Sequence, residues 1–208
     1  MSDNLSSLCA EFTKRLASPA PVPGGGGAAA LCGALASSLC SMAGELSKGK
    51  KSTMQYSAEL DELTVSAKGH AARFLELIDA DAAAFEPLSR AYSIPKDAPD
   101  RAALISQASL TACSAPSDIL KECLAVSRLL NRMAEICSRL MISDVGCAAA
   151  LCKAAAECAA MNVYVNLPAV LDTEKAGGLK KECDEVLSYC STELEKVKAA
   201  VWNTLREG

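Results

Sequence analysis

From Gly24 to Gly44 the chain carries no charged residue. About 20 uncharged residues would cross a bilayer as a helix. This stretch, however, is largely Gly, Ala and Ser, with only three leucines, Leu31, Leu35 and Leu39. Small side chains let other helices approach closely. The segment therefore reads as the central helix of a bundle and not as a membrane span, and the other elements must be arranged around it.

The approach to that helix is equally constrained. Ser18-Pro19-Ala20-Pro21-Val22-Pro23 alternates proline with other residues, and Gly24-Gly25-Gly26-Gly27 follows. Each proline locks φ and removes a backbone donor. The glycines let the backbone come close to another group, with no Cβ in the way. The helix that opens there presents unpaired N–H groups, which suit an anion or a polar ring edge. A segment so costly to order points to a ligand.

Helical periodicity dominates the remainder. Residues 3–17 predict a short amphipathic helix with Leu5, Leu8, Cys9, Phe12 and Leu16 on one side. The small-residue helix spans 25–48. Residues 53–93 predict one long helix or two end to end, with a possible bend at Gly69 and a stop near Ile94-Pro95. A loop over 96–100 leads to a helix over 100–140 kinked at Ala115-Pro116. Ser143-Asp144 reads as the cap of the next helix, which runs to about Asn166 and ends before Pro168. Gly177-Gly178 reads as a breaker before a last helix over 179–206. That helix carries Leu179, Cys183, Val186, Leu187, Cys190, Leu194, Val197 and Val201 as one stripe. The sequence offers no convincing strand and no internal repeat.

Low aromatic content (4%) and abundant alanine suit closely packed helices and not a β-sandwich. Long helices on short loops imply an all-α, elongated antiparallel bundle, here a single domain over residues 1–208. Alanine-rich helices such as 144–166 bury little against one partner, so a homodimer is expected. The net charge of −4 argues against a nucleic-acid partner, which needs a basic face. The eleven cysteines are odd in number and form no CxxC pair. They read as reduced, mostly buried thiols in a cytoplasmic protein. The polar, acidic start Met1-Ser2-Asp3-Asn4 has no secretory character.

Several groups could carry chemistry. Gly44-Glu45-Leu46-Ser47-Lys48-Gly49-Lys50-Lys51 nearly spells a phosphate-binding loop. Its last hydroxyl is replaced by Lys51, and it trails a helix instead of joining a strand to one. Lys48, Lys50 and Lys51 read instead as a basic helix end, or as a docking point for an anionic substrate tail. In Asp79-Ala80-Asp81-Ala82-Ala83-Ala84-Phe85, the two aspartates project about 200° apart on a helix. Asp81 falls on an apolar surface with Ile78, Ala84 and Phe85. Partial desolvation there raises a carboxyl pKa towards the range useful for proton transfer; a solvated or capping role is the alternative for both. Asn162 and Asn166 stack at i and i+4 and need partners, from backbone or ligand. His70, the only histidine, reads as a solvated helix residue, and a histidine-based zinc site is not supported.

Taken in order, these stretches resemble the cyclodeaminase/cyclohydrolase family of folate enzymes. That family includes the cyclodeaminase domain of formiminotransferase-cyclodeaminase and stand-alone methenyltetrahydrofolate cyclohydrolases. The matching residues are Ser18 to Gly27, Gly49-Lys50-Lys51, Asp79 to Phe85, Ile94-Pro95-Lys96, Pro116, Ser143-Asp144-Val145-Gly146 and Asn162 to Leu167. The resemblance implies an all-helical dimer that binds tetrahydrofolate near the glycine run, with no metal or redox cofactor. It places a proton-transfer aspartate at Asp81. Substrate binding falls to Pro23, Gly24, Gly25, Gly26, Gly27, Lys50, Lys51, Asp79, Ser143, Asp144, Asn162 and Asn166. Two departures stand out. Cys137-Ser138-Arg139-Leu140-Met141-Ile142 occupies the place of a common Gly-Asn-x-Asn, and Gly27 replaces a common serine.

The activity so implied is hydrolysis of 5,10-methenyltetrahydrofolate to 10-formyltetrahydrofolate. Cyclodeamination of formiminotetrahydrofolate is the alternative, placed second because no formiminotransferase domain accompanies this sequence. The altered 137–142 loop leaves a non-catalytic folate-binding or scaffold protein as a further reading, and a helical interaction protein without folate affinity is the plainest one.

Overall fold

The computed structural model describes residues 5–207. Seven helices follow in order: α1 Leu5–Leu16, α2 Gly25–Ser47, α3 Ser57–Tyr92, α4 Arg101–Ala112, α5 Ser114–Ile136, α6 Ile142–Tyr164 and α7 Thr173–Arg206. Among the described residues there is no strand. Residues 3 and 4 and the side chains of Leu5 and Leu8 lie outside the described residues.

The uncharged segment forms α2, and it is the centre of the bundle, packed against α3, α5 and α6. By length and composition α2 could cross a bilayer, and most of its apolar window is buried inside the bundle. Ala30, Ala36, Cys40 and Ala43 of α2 are fully buried, as are Phe74 and Leu60 of α3 and Ala148, Ala155 and Ala159 of α6. Alanines on two facing helices bring the backbones together, and Phe74 fills the space they leave. Burial of a side chain that size contributes roughly 1.5–3 kcal/mol. α2 stops where Gly49 takes φ +69°. Only glycine enters that left-handed region without a Cβ penalty.

α3 is one helix of 36 residues and passes straight through Gly69. Pro87, exposed, also lies inside it. The predicted 100–140 helix is two helices. They part at Cys113, and Pro116 sits in the first turn of α5, where its missing N–H leaves no bond unmade. The chain leaves α5 at Cys137, earlier than the periodicity suggests. Leu88, Ala91, Ile105, Ala108 and Ala112 form a second small core between the end of α3 and α4.

Two terminus predictions are corrected. Ser143 and Asp144 do not cap α6: the helix begins at Ile142 after a single 3-10 turn at residues 139–141, and Met141 holds the cap position without a side-chain bond. Ser143 and Asp144 lie in its first turn, where the Asp144 carboxylate complements the helix dipole. Gly177 and Gly178 do not break the last helix, which starts at Thr173. The Asp172 carboxylate accepts the Lys175 N–H at 3.0 Å and fixes that start. The stripe of Cys183, Cys190, Leu194, Val197 and Val201, all buried, then outweighs the cost of two helical glycines.

The eleven cysteines are free thiols, and Cys40, Cys113, Cys123, Cys152, Cys183 and Cys190 are buried. Burial pushes the Cys40 thiol up to about 12 and Cys113 up to about 11. Cys9, Cys147 and Cys158 are exposed. His70 is not a solvated residue: its Nδ1 lies 2.5 Å from the Glu122 carboxylate, and both side chains are 24% exposed.

Candidate active site

The N-terminus of α2 runs into the side of α3, and Asp81 is what it meets. A Cβ on Gly26 would stand 2.1 Å from Asp81 Oδ1 and 2.4 Å from its Cγ, so only glycine fits there. A Cβ on Gly25 would stand 2.9 Å from Asn162 Nδ2 of α6. The glycine run is therefore not a turn. Gly24 holds the cap position in extended backbone, Gly25 to Gly27 form the first helical turn, and none of the four has a positive φ. What the sequence provides there is close approach.

Burial raises the Asp81 pKa above the ordinary carboxylate value. The Gly27 backbone N–H donates to the carboxylate and opposes that rise without cancelling it. The result is a half-buried carboxyl group held at a helix N-terminus, with its pKa moved in the direction that favours proton transfer.

Asp81 opens into a cleft of about 210 Å³ lined by Gly24, Gly25, Gly26, Phe85, Asn162 and Asn166, among others. Asn162 Nδ2 donates to the Cys158 carbonyl at 2.8 Å, and Asn166 Nδ2 donates to the Asn162 carbonyl at 2.9 Å. Each amide thus donates to a backbone carbonyl four residues earlier, which fixes the side chains at the cleft wall. Pro21, Val22, Ala112, Pro116 and Val165 also line it. Sequence reading assigned no site role to Phe85 or Ala112. The signal for Phe85 is its position in the helical register of Asp81, one turn on. Ala112 arrives only because the chain breaks between α4 and α5.

Asp79 is exposed and faces a different cleft, of about 250 Å³, with Phe12, Arg15, Pro23 and Ile78. The 200° separation of the two aspartates is realised, and Pro23 lies with Asp79 and not with Asp81. Lys50, Lys51, Ser143 and Asp144 are at the far end of the bundle. α2 has 23 residues, about 35 Å at 1.5 Å per residue, and these groups cluster at its C-terminal end. Lys50 Nζ donates to Ser138 Oγ at 3.1 Å, and the Ser138 N–H donates to Ser47 Oγ at 2.8 Å. Lys48 is bound to Glu45 at 3.0 Å and Asp61 at 2.7 Å. Among the described residues no carboxylate pairs with Lys50 or Lys51. The site residues read from the sequence thus lie at two ends of one protomer, with those at the Asp81 end divided between two clefts. Among the described residues, no cluster of three or more His, Cys, Asp or Glu is placed to hold a metal ion.

Residues 8–185 match the family model described as formiminotransferase-cyclodeaminase. The chain is 34% identical over 194 residues to a methenyltetrahydrofolate cyclohydrolase of Methylorubrum extorquens, covering 91% of this chain and 93% of that protein. It is 27% identical to the formimidoyltransferase-cyclodeaminase of Sus scrofa over 187 residues, 88% of this chain but only 34% of that longer protein. Its fold superposes with a TM-score of 0.81 on the crystal structure of formiminotetrahydrofolate cyclodeaminase from Thermotoga maritima, at 25% identity and 95% coverage of both chains.

Proposed function

The chain belongs to the formiminotransferase-cyclodeaminase family, and on that premise we propose that it is a folate one-carbon enzyme hydrolysing 5,10-methenyltetrahydrofolate to 10-formyltetrahydrofolate. One observation carries the chemistry: a half-buried carboxyl group, Asp81, poised over the glycine turn of α2 in a cleft walled by fixed amides. As carboxylate, Asp81 takes a proton from water while the hydroxide adds to the methenyl carbon. The hydroxyl proton of the adduct then passes to solvent, and the carbon–N5 bond breaks. Asp81 returns its proton to N5, and the formyl group stays on N10. One water is consumed and one proton released, and the carboxyl group ends as it began.

The likeness to a solved cyclodeaminase favours a second reading on the same residue. There N10 attacks the formimino carbon, Asp81 protonates the leaving nitrogen, and ammonia departs. In both readings Gly24 to Gly27 and Asn162 flank the reacting ring, Asn166 supports Asn162, and Lys50 and Lys51 serve the carboxylate tail. The protein so proposed is a cytoplasmic homodimer that uses no metal or redox cofactor, and its single domain takes a small folate substrate and no nucleic acid.

The test is an absorbance assay of methenyl loss beside ammonia release from formiminotetrahydrofolate, for wild type and Asp81→Asn. Turnover of the first substrate that is lost in the variant supports the hydrolase; turnover of the second alone selects the cyclodeaminase. Tetrahydrofolate binding without turnover leaves a folate-binding protein, and no affinity leaves a helical interaction protein.

A further inference from the structure

α2 and α6 are antiparallel neighbours: Gly25 at the start of α2 lies beside Asn162 near the end of α6, and Ser47 at the end of α2 bonds Ser138 just before α6. Each helix keeps one stripe away from the core. On α2 it is Leu31, Leu35, Ser38, Met42 and Leu46, with Leu35 49% and Leu46 50% exposed, while Leu39 beside them packs partly against the core. On α6 it is Cys147, Ala150, Ala154, Cys158 and Met161, all exposed. Cys32 beside Cys158 joins the two stripes into one face. The charges of α6 are turned elsewhere, Lys153 binding Glu195 of α7 at 2.5 Å. The α2 side of the face carries no charge from Gly25 to Gly44; Glu45, exposed beyond it, is paired with Lys48 and Lys68.

Its two ends differ. Among the described residues, Lys50 and Lys51 lie at one end with no carboxylate partner, and Asp81 lies at the other with no cationic partner. Ser38, exposed on the stripe, stands twelve residues from Gly26 and twelve from Lys50. A two-fold axis crossing α2 at Ser38 makes it antiparallel to its own copy. It brings the C-terminal end of one α2 level with the N-terminal end of the other. Packed helices lie about 8–10 Å apart, which a lysine side chain reaches across. An isologous contact of this kind needs only a self-complementary apolar face, and the free charges at its ends are of opposite sign.

We propose that the site is completed in trans: two copies pack along α2 and α6 about a two-fold near Ser38, and the partner's Lys50 and the partner's Lys51 hold the carboxylates of a substrate whose reacting end lies at Asp81. The inference rests on the folate reading of the Asp81 cleft. Within one protomer the two groups of residues are a full length of α2 apart, farther than one folate molecule reaches.

Mixed dimers test it. Asp81→Asn and Lys50→Ala/Lys51→Ala chains carrying different tags are co-expressed, and the heterodimer is isolated on both. The Asp81→Asn homodimer loses turnover, and the double-lysine homodimer shows a KM raised tenfold or more. The heterodimer then has one site with Asp81 and both lysines intact, and recovers half the wild-type kcat with the wild-type KM. A heterodimer no more active than its parents overturns the proposal, as does an unchanged KM in the double-lysine variant. Independently, Ser38→Cys forms a disulfide-linked dimer under mild oxidation well above the wild-type background; no gain over wild type overturns the two-fold. If wild-type protein turns over neither substrate, the folate reading falls and takes the trans site with it. That outcome is distinct from failed complementation by an active enzyme, which removes the trans site alone.

Discussion

Gly26→Ala isolates the contact on which the proposed chemistry depends. The new Cβ would lie 2.1 Å from Asp81 Oδ1, whereas an ordinary contact begins near 3.4 Å, so the carboxylate must retreat by about 1.3 Å. Asp81 has a short side chain, and its Cγ and other oxygen are also within 2.6 Å of the new atom. It cannot swing its far end aside as a lysine would. Overpacking of this kind costs about 1–3 kcal/mol, and the better helix propensity of alanine returns up to about 1 kcal/mol. The net loss is therefore about 0–3 kcal/mol. For a chain of this length, that lowers the melting temperature by about 0–12 °C. Activity suffers more, because a misplacement of about 1 Å costs on the order of 10²-fold in rate. The displaced carboxyl group is also better solvated, so the acid limb of the pH–rate profile moves down towards an ordinary carboxylate. The assay is methenyl loss by absorbance from pH 4 to 8, beside thermal unfolding followed by circular dichroism. Wild-type kcat with an unmoved acid limb would refute the assignment of Asp81 as the group poised by the glycine turn.

Asp81→Asn lowers kcat on the order of 10²–10⁴-fold in the same assay. Because the fold raises the Asp81 pKa, the folded state holds its proton more tightly than the unfolded chain. Wild-type stability is then lost as pH rises from the ordinary carboxylate value of 3.8 through the folded value. The asparagine variant is spared that loss, so its melting temperature draws ahead as pH rises from 4 to 7; a gap that stays constant or reverses contradicts the raised pKa. Phe74→Ala empties the fully buried space between α2 and α3 and costs about 3–5 kcal/mol, a fall of about 6–20 °C, read by calorimetry. Gly177→Ala and Gly178→Ala add a Cβ where nothing lies within 4 Å. Each stabilises α7 by about 0.5–1 kcal/mol, visible as a shift in the urea midpoint.

The helices were legible where one apolar stripe meets one core: α2, α3 and the C-terminal part of α7 follow directly from periodicity. The termini were legible only where a backbone singularity stands alone. Gly49 stops α2 by turning into left-handed backbone, where Thr53 bonds back to the Ser47 carbonyl, whereas Gly177 and Gly178 are carried through by an N-cap behind them and a buried stripe ahead. Ser143-Asp144 has the composition of a cap, but the chain already begins to coil at Arg139 and enters the helix before reaching it. Asp81 was legible as a candidate because its neighbours at helical spacing are apolar. That its carboxylate sits on the N-terminal turn of α2 was not, since no local pattern records which helix end meets which helix side. The same holds for His70 and Glu122, 52 residues apart and paired only by the packing of α3 on α5.

The uncharged run of α2 is explained only in part by the core of one protomer. Within its most apolar window 61% of the residues are buried. The buried positions account for the alanines and glycines that let α3 and α6 close in. They do not account for Leu35, Met42 and Leu46, large apolar side chains left 39–50% exposed on the remaining side. A solvated stripe at those positions would carry charge, as the outer faces of α3 and α7 do with Glu62, Lys180 and Glu185. From Gly25 to Gly44 the outer side of α2 instead carries no charge, and its first exposed charge is Glu45. A helix whose fourth side is covered by its own copy satisfies that composition, and it places the glycine run of one chain level with Lys50 and Lys51 of the other. In the proposed dimer, one uncharged stretch fills the core, seats Asp81 and joins the two subunits.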